Sequence, residues 1–446
     1  MEYIPKTAKE EEEMLAEIGV SSFEDLLNIP ASLRLNRPLN LPLSLSQPTL
    51  RRKMLDLSRK NAETTSNLSF LGGGSYDHYV PSTVDHVLRR SEFYTAYTPY
   101  QAEMSQGLLQ TIYEYQTMIC QLTGMEVACA SVYDGASALA EGALMAIRRT
   151  KRKKVLISQT VHPHYRQVVA TYLSGLEGVE LKEIPFHEGR VSLQVLEDSI
   201  DDSVAAVLIQ HPNFFGQLEE MEAIAQWVHA EGGLLVMAVD PISLGILKTP
   251  GEYQADIAVG EGQALGNTIS YGGPYVGFFS TRREMIRQMP GRVVGATMDA
   301  EGRSGFCLTL QTREQHIRRE RATSNICTNQ ALNALASAVY MATVGKAGLR
   351  EVALLCLAKS HAAHEKIKEI PGVDAPFSGS FFKEFVFRLP FPVANFLEDL
   401  SRDGLFAGID LGAYYPELEN HLLICVTEQH ESEEIDQLVE KIQAAS

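Results

Sequence analysis

The sequence predicts an α/β protein with a large, mostly parallel sheet and a smaller C-terminal α/β unit, and three observations carry this. Short apolar runs recur at 127–132, 154–158, 179–184, 205–210, 233–239, 255–259 and 275–279, separated mostly by helix-length segments. Alternation of this kind makes a largely parallel sheet covered on both faces, with ligands collecting at the carboxyl ends of the strands. The chain has 446 residues, enough for a large domain with a second one attached, and its 45% hydrophobic and 21% charged shares are those of a globular protein. The helix expected over 218–231 puts Met221, Ile224, Ala225 and Val228 on one face, and Gly232-Gly233 stops it.

In chain order, residues 1–60 form an arm, with a charged helix over 9–18 and then breaks at Pro30, Pro38, Pro42 and Pro48. Residues 61–328 form the large domain. It contains a helix over 108–122, with Leu109, Ile112, Tyr113, Gln116, Ile119 and Cys120 at spacings of three and four. A long helix over 329–362 follows, its first part (329–348) bridging to a small domain at 349–446 with strands at 385–388 and 421–426.

The formal net charge is −17, with 56 acids against 39 bases, which excludes a nucleic-acid binder. The basic cluster 148–154 falls where a helix ends and complements its dipole. Six cysteines (Cys120, Cys129, Cys307, Cys327, Cys356, Cys425) form no CxxC pair and have no histidine at ligand spacing, so neither a metal site nor a disulfide framework is expected. They suit a reducing cytoplasm. No secretory leader and no membrane span is expected.

Candidate site residues fall at successive strand ends. Gly135-Ala136-Ser137 opens a helix, where free N–H groups and a hydroxyl suit a phosphate. His162 and His164 follow the 154–158 strand, where an imidazole can lie on a heteroaromatic ring. Asn213 follows the 205–210 strand. Asp240 ends the 233–239 strand, and an acid there would keep a pyridine nitrogen protonated and the ring an electron sink. Each has an ordinary alternative: capping, a solvated loop histidine, a turn acid before Pro241. The order of the four groups resembles pyridoxal phosphate (PLP) enzymes of the aspartate-aminotransferase type, PLP-dependent transferase fold type I. The lysine that should complete the set is missing. Lys248 comes too early, the next lysine is Lys346, and the Tyr271-Gly272-Gly273-Pro274 turn places the expected lysine near Gln263, whose amide cannot condense with an aldehyde.

A second candidate is the loop carrying Tyr94, Tyr97 and Tyr100 at a spacing of three, with Gln101 and Glu103. It reads equally as a functional loop or as a packing cluster at a subunit contact.

Three stretches, 92–116 (EFYTAYTPYQAEMSQGLLQTIYEYQ), 130–141 (ASVYDGASALAE) and above all 310–330 (LQTREQHIRRERATSNICTNQ), resemble the P-protein family of the glycine cleavage system. The likeness is to the N-terminal half of the long P-proteins, the alpha subunit of the split form. The resemblance implies that the PLP-binding lysine belongs to the other half, glycine dehydrogenase subunit 2 (beta). It further implies that the pair decarboxylates glycine, releases CO2 and passes the aminomethyl group to the lipoyl arm of the H-protein, and that the chains assemble as a heterotetramer. On this reading no residue of this chain is catalytic alone, and Tyr94, Tyr97, Tyr100, Gln101 and Glu103 reach the partner's active site. Gly135, Ala136, Ser137, His164, Asn213 and Asp240 are then a vestigial cofactor pocket. The alternative is a scaffold or regulatory subunit that contributes no active-site group.

Overall fold

The computed structural model describes residues 6–35, 37–326 and 328–446, so Cys327 lies outside the described residues. Contacts divide the chain into two compact units, Met1–Asn61 and Ala62–Ser446.

In the first unit, α1 (Ala8–Ile18) starts on a capping box: Thr7 N–H donates to Glu10 Oε2 at 2.7 Å, and Glu10 N–H donates to Thr7 Oγ1 at 3.3 Å. Gly19, in the left-handed region, ends it. α2 (Gln47–Ser58) carries Pro48 in its first turn, where a missing N–H costs nothing. Neither helix buries a residue within its own unit. Between them, Leu33, Leu35, Leu39, Leu41, Leu43 and Leu45 are all exposed.

The second unit is organised by a seven-stranded sheet. Its strands are β1 (Val127–Ala128), β2 (Lys154–Ser158), β3 (Glu180–Ile184), β4 (Val204–His211), β5 (Leu234–Val239), β6 (Ile257–Glu261) and β7 (Gly277–Thr281), in spatial order β1-β7-β6-β5-β4-β2-β3. The run from β6 to β3 is parallel. β7 is antiparallel to both neighbours, because the connection from β6 holds only one short turn, Ser270–Gly272, and no crossover helix. β1 is shorter than the apolar run 127–132: Ala130 N–H turns away to the Arg292 carbonyl at 2.7 Å.

Side-chain alternation along the strands feeds two cores. Val155, Ile157, Val236 and Ala238 pack with α4 (Gly135–Thr150) and α5 (Pro163–Ser174) on one face. Leu156, Val207, Leu235 and Met237 pack on the other with α3 (Gln106–Thr123), α6 (Met221–Ala230) and α7 (Ala331–Lys368). α7 is interrupted at Gly345 (φ 61°), which splits the helix expected over 329–362. A hairpin, β8 (Val293–Met298) with β9 (Ser304–Thr309), lies against α3. The last part of the chain has its own antiparallel sheet, β10 (Glu384–Arg388), β11 (Ile409–Asp410) and β12 (His421–Cys425), with the core Phe385, Phe387, Leu422 and Ile424. Among the described residues no helix is long and apolar enough to cross a membrane, and five cysteines are free thiols.

Candidate functional site

Two places bring the candidate residues together: a small pocket at the carboxyl ends of β5 and β6, and a larger cleft under the tyrosine loop.

In the pocket, Asp240 follows β5 and its Oδ2 lies 2.8 Å from Nζ of Lys383, which precedes β10. Lys383 is 1% exposed, and its ammonium sits 3.4 Å from the Tyr76 ring centroid. Burial alone would strip its proton, but Asp240, with the Cys425 and Cys356 thiols, outweighs this and raises the Lys383 pKa. Lys383 also donates to His78 Nε2 at 3.0 Å, so the proton of that ring is on Nδ1, which donates to Glu428 Oε2 at 2.7 Å. Cys356 Sγ donates to the same oxygen at 3.4 Å. Burial works against the Glu428 charge, yet the His78 hydrogen bond and the Tyr79 N–H hold its pKa at about 2. His78, Cys356 and Glu428 lie close enough to share a metal, although spacing along the chain gave no sign of it. His78 and Cys356 both donate to Glu428, and the Lys383 cation beside them opposes a second positive charge.

Gln263, where the lysine is missing, is buried and pairs with both backbone groups of Tyr76: Oε1 accepts from Tyr76 N at 2.9 Å, and Nε2 donates to Tyr76 O at 3.0 Å. It thereby fixes the glycine-rich turn 72–74. There Gly73 N donates to Glu384 Oε1 at 2.6 Å, and a Cβ on Gly72 would lie 2.3 Å from that same oxygen. Burial pushes the Glu384 carboxyl up to about 7.

At the expected phosphate turn, Asp134 caps α4, its Oδ1 accepting from Ser137 N and Ser137 Oγ, each at 2.7 Å. Gly135 N donates to Glu261 Oε2 at 3.0 Å, while Glu261 Oε1 takes the Val276 N–H at 3.0 Å. The helix start therefore already holds two carboxyls of its own. Burial, with Asp134 adding to it, pushes the Glu261 carboxyl up to about 8.

His162 and His164 both line the space beside the pocket, in different settings. His162 Nε2 donates to the Gly73 carbonyl at 2.7 Å, Nδ1 accepts from His164 N at 3.1 Å, and the ring stacks on Tyr165 at 4.9 Å. Burial lowers its pKa to about 4, in keeping with a neutral ring. The His164 ring meets Tyr414 edge-on at 5.6 Å and lines, with His162, Tyr165, Glu261, Asp134 and Ala136, a recess of about 310 Å³ that adjoins the pocket. Asn213 does not reach the pocket. Its amide is used up locally, donating to Gly189 O at 2.8 Å and Glu219 Oε1 at 2.7 Å and accepting from Phe215 N and Gln217 N. The space left between Asp240, His162, Tyr165 and Glu261 is about 30 Å³, room for about one water. With Asp240 paired to Lys383, the helix-start donors taken by Asp134 and Glu261, and an amide at 263 in place of a lysine, these residues do not fit PLP. Lys248 lies away from the pocket, pairing with Glu222 at 2.8 Å on the surface.

The cleft is different. It has about 230 Å³ and is lined by Tyr94, Tyr97, Thr98, Arg292, Asn329 and Leu335, among others. Tyr94 is 69% exposed and Tyr97 78%. Buried Arg292 supports the loop from below, donating to Tyr100 Oη at 2.9 Å and to Thr98 Oγ1 at 3.3 Å. Its Nε lies 3.5 Å from Glu314 Oε2, and His316 Nδ1 is equally far from that oxygen. Because Arg292 donates to Tyr100, the phenol's own proton is free for another acceptor. Gln101 and Glu103 are exposed at the turn Ala102–Met104 and do not line the cleft.

The family model for the glycine cleavage system P-protein matches residues 1–442. A protein of Carboxydothermus hydrogenoformans named probable glycine dehydrogenase (decarboxylating) subunit 1 is 57% identical, over 99% of each chain. One of the same name from Moorella thermoacetica is 52% identical, over 98% of each chain. The chain belongs to the P-protein family.

A solved structure of glycine decarboxylase (P-protein) of the glycine cleavage system, in inhibitor-bound form, matches with TM-score 0.92 at 44% identity, covering all of both chains. A NifS-like protein matches at TM-score 0.65 and 14% identity, over 85% of this chain and 99% of its own, and shares the fold alone. The fold is PLP-dependent fold type I, as the order of the strand-end groups predicted. Sequence reasoning missed Lys383, Glu261 and Arg292. Lys383-Glu384 stands inside the aromatic run 381–387, and a charged pair there was a visible signal. Glu261 and Arg292 gave none.

Proposed function

We propose that the chain is the lysine-less alpha subunit of a two-chain glycine dehydrogenase (decarboxylating) in the cytoplasm. Its partner, subunit 2 (beta), holds PLP on a lysine, and the pair forms a heterotetramer. The complex decarboxylates glycine, releases CO2 and transfers the aminomethyl group to the lipoyl arm of the H-protein. The observation that carries the reading is Gln263: in a P-protein family member, the place of the cofactor-binding lysine is taken by an amide bonded to Tyr76.

This chain's contribution is the tyrosine loop. Tyr94 and Tyr97 supply exposed aromatic walls, and Tyr100, fixed by Arg292, offers its hydroxyl proton to a substrate or partner oxygen. Gln101 and Glu103 supply polar contacts to the partner. The fold divides into the arm, large domain, bridging helix and small domain at 60, 328 and 348.

The test is glycine–bicarbonate exchange. The purified chain should show none, and adding subunit 2 should restore it. Exchange by this chain alone would sink the proposal. Full turnover after substitution of Tyr97, Tyr100 and Glu103 together would leave the subunit a scaffold.

A further inference from the structure

We propose that the Asp240 pocket holds the chain's own stand-ins for the two charged ends of PLP, and that these actively keep the cofactor out. Lys383 takes the place of the protonated ring nitrogen, and the carboxyls of Glu261 and Asp134 take the place of the phosphate. The corollary that this reserves PLP for the lysine-bearing partner rests on the function proposed above. The exclusion itself rests only on geometry.

A strand-end acid draws a cation, and here the cation is Lys383 Nζ, 2.8 Å from Asp240 and shielded from water by Tyr76. The opening turn of a helix draws an anion, and here the acceptors are Glu261 on the Gly135 N–H and Asp134 on Ser137 N and Oγ. Gln263 completes the set by closing the Tyr76 backbone over the lysine's former place. A pocket that had merely lost its lysine would keep an unpaired Asp240 and a free helix start. This one has neither. A cofactor entering would meet the Lys383 ammonium against its ring nitrogen, and at the helix start it would find the Gly135 N–H and the Ser137 N–H and hydroxyl already taken by Glu261 and Asp134.

The probe is pyridoxamine 5′-phosphate, which carries the ring and phosphate but no aldehyde to attach to surface lysines, and the readout is equilibrium dialysis against the purified full-length chain. Wild type should show no saturable binding up to about 1 mM. The double variant Lys383→Met with Glu261→Ala should bind one probe per chain, roughly 100-fold tighter than wild type, a factor of ten for each opposing group removed. Asp240→Asn with Lys383→Met, which removes the pair and leaves no acid for the ring nitrogen, should fold and bind no better than wild type. Stoichiometric binding by wild type, or no gain in a double variant that melts cooperatively, overturns the proposal. A measurement without variants covers failure of folding: brief acylation of the native chain should leave Lys383 unmodified with and without the probe. Exposure of Lys383 by the probe means that the cofactor displaces it, and the proposal falls.

Discussion

The pocket and the cleft use the same kinds of residue to opposite ends. In the pocket, tyrosine, lysine, histidine and acids are buried and satisfied by one another, as Lys383 is by Asp240, His78 and Tyr76. In the cleft only the supporting layer, Arg292 and Glu314, is buried, and the tyrosines above it face outward. Polar groups that are fully paired inside stabilise a fold, whereas those left exposed on a supported loop are available to something else. Substitutions in the pocket should therefore cost stability and spare turnover, and those in the cleft should do the reverse.

The largest effect expected is from Lys383→Ala. It leaves the largely enclosed Asp240 unpaired and should lower the unfolding free energy of the chain by roughly 3–5 kcal/mol in chemical denaturation. Lys383→Met combined with Asp240→Asn should recover most of that loss. Gln263→Ala, which leaves both backbone groups of Tyr76 without their partner, should cost roughly 2–3 kcal/mol. In either case, complex assembled with subunit 2 should keep its turnover when assayed below the melting range; a large loss in kcat would erase the distinction between the two regions.

Next is Tyr97→Ala. In the assembled complex it should reduce kcat/KM about 10- to 100-fold while the melting midpoint of the free chain stays unchanged. A drop in melting with unaltered kinetics would make the loop a packing feature. The pH dependence of stability sharpens the view of the pocket. The folded-state pKa values of Glu261 and Glu384 are raised, to about 8 and about 7, so the stabilisation their protons provide is complete below the ordinary glutamate pKa and is lost as pH rises through these values. Glu428, depressed to about 2, acts in the opposite sense: its contribution is present above the ordinary value and lost as pH falls through about 2. The unfolding free energy of wild type should fall by roughly 1–3 kcal/mol from mildly acid to mildly alkaline pH, and Glu261→Gln should flatten that slope. The smallest effect is expected for Glu103→Gln, exposed at the loop's edge: about a threefold change in kcat/KM and none in stability.

The sheet was legible because buried parallel strands must be apolar along their length, and 154–158, 205–210 and 233–239 had no other reading. Asp240 and the start of α4 were legible because strand ends and helix starts are fixed by local pattern. Local pattern could not say what would meet them. Lys383, Glu261 and Gln263 arrive from other parts of the chain, and their roles depend on pairing across the fold. The different settings of His162, stacked on Tyr165, and His164, edge-on to Tyr414, follow from the helix start at Pro163 between them, a matter of rotation that composition does not encode. Asn213 looked like a ligand because it follows a strand, yet a tight turn with Glu219 uses its whole amide. The tyrosine loop was visible as an anomaly of spacing, while Arg292, which holds it, was one arginine among many.

Tyr76 bonds to Glu384 across 308 residues, and His78 bonds to Glu428 across 350. Contacts of that span close late, since the entropy of a long loop is lost before the contact returns anything. During synthesis the sheet and Asp240 leave the ribosome well before Lys383 does. A chain cut short in that interval presents an acid-lined, open strand end that the finished chain conceals, so the ion pair at the pocket also marks whether the molecule is complete.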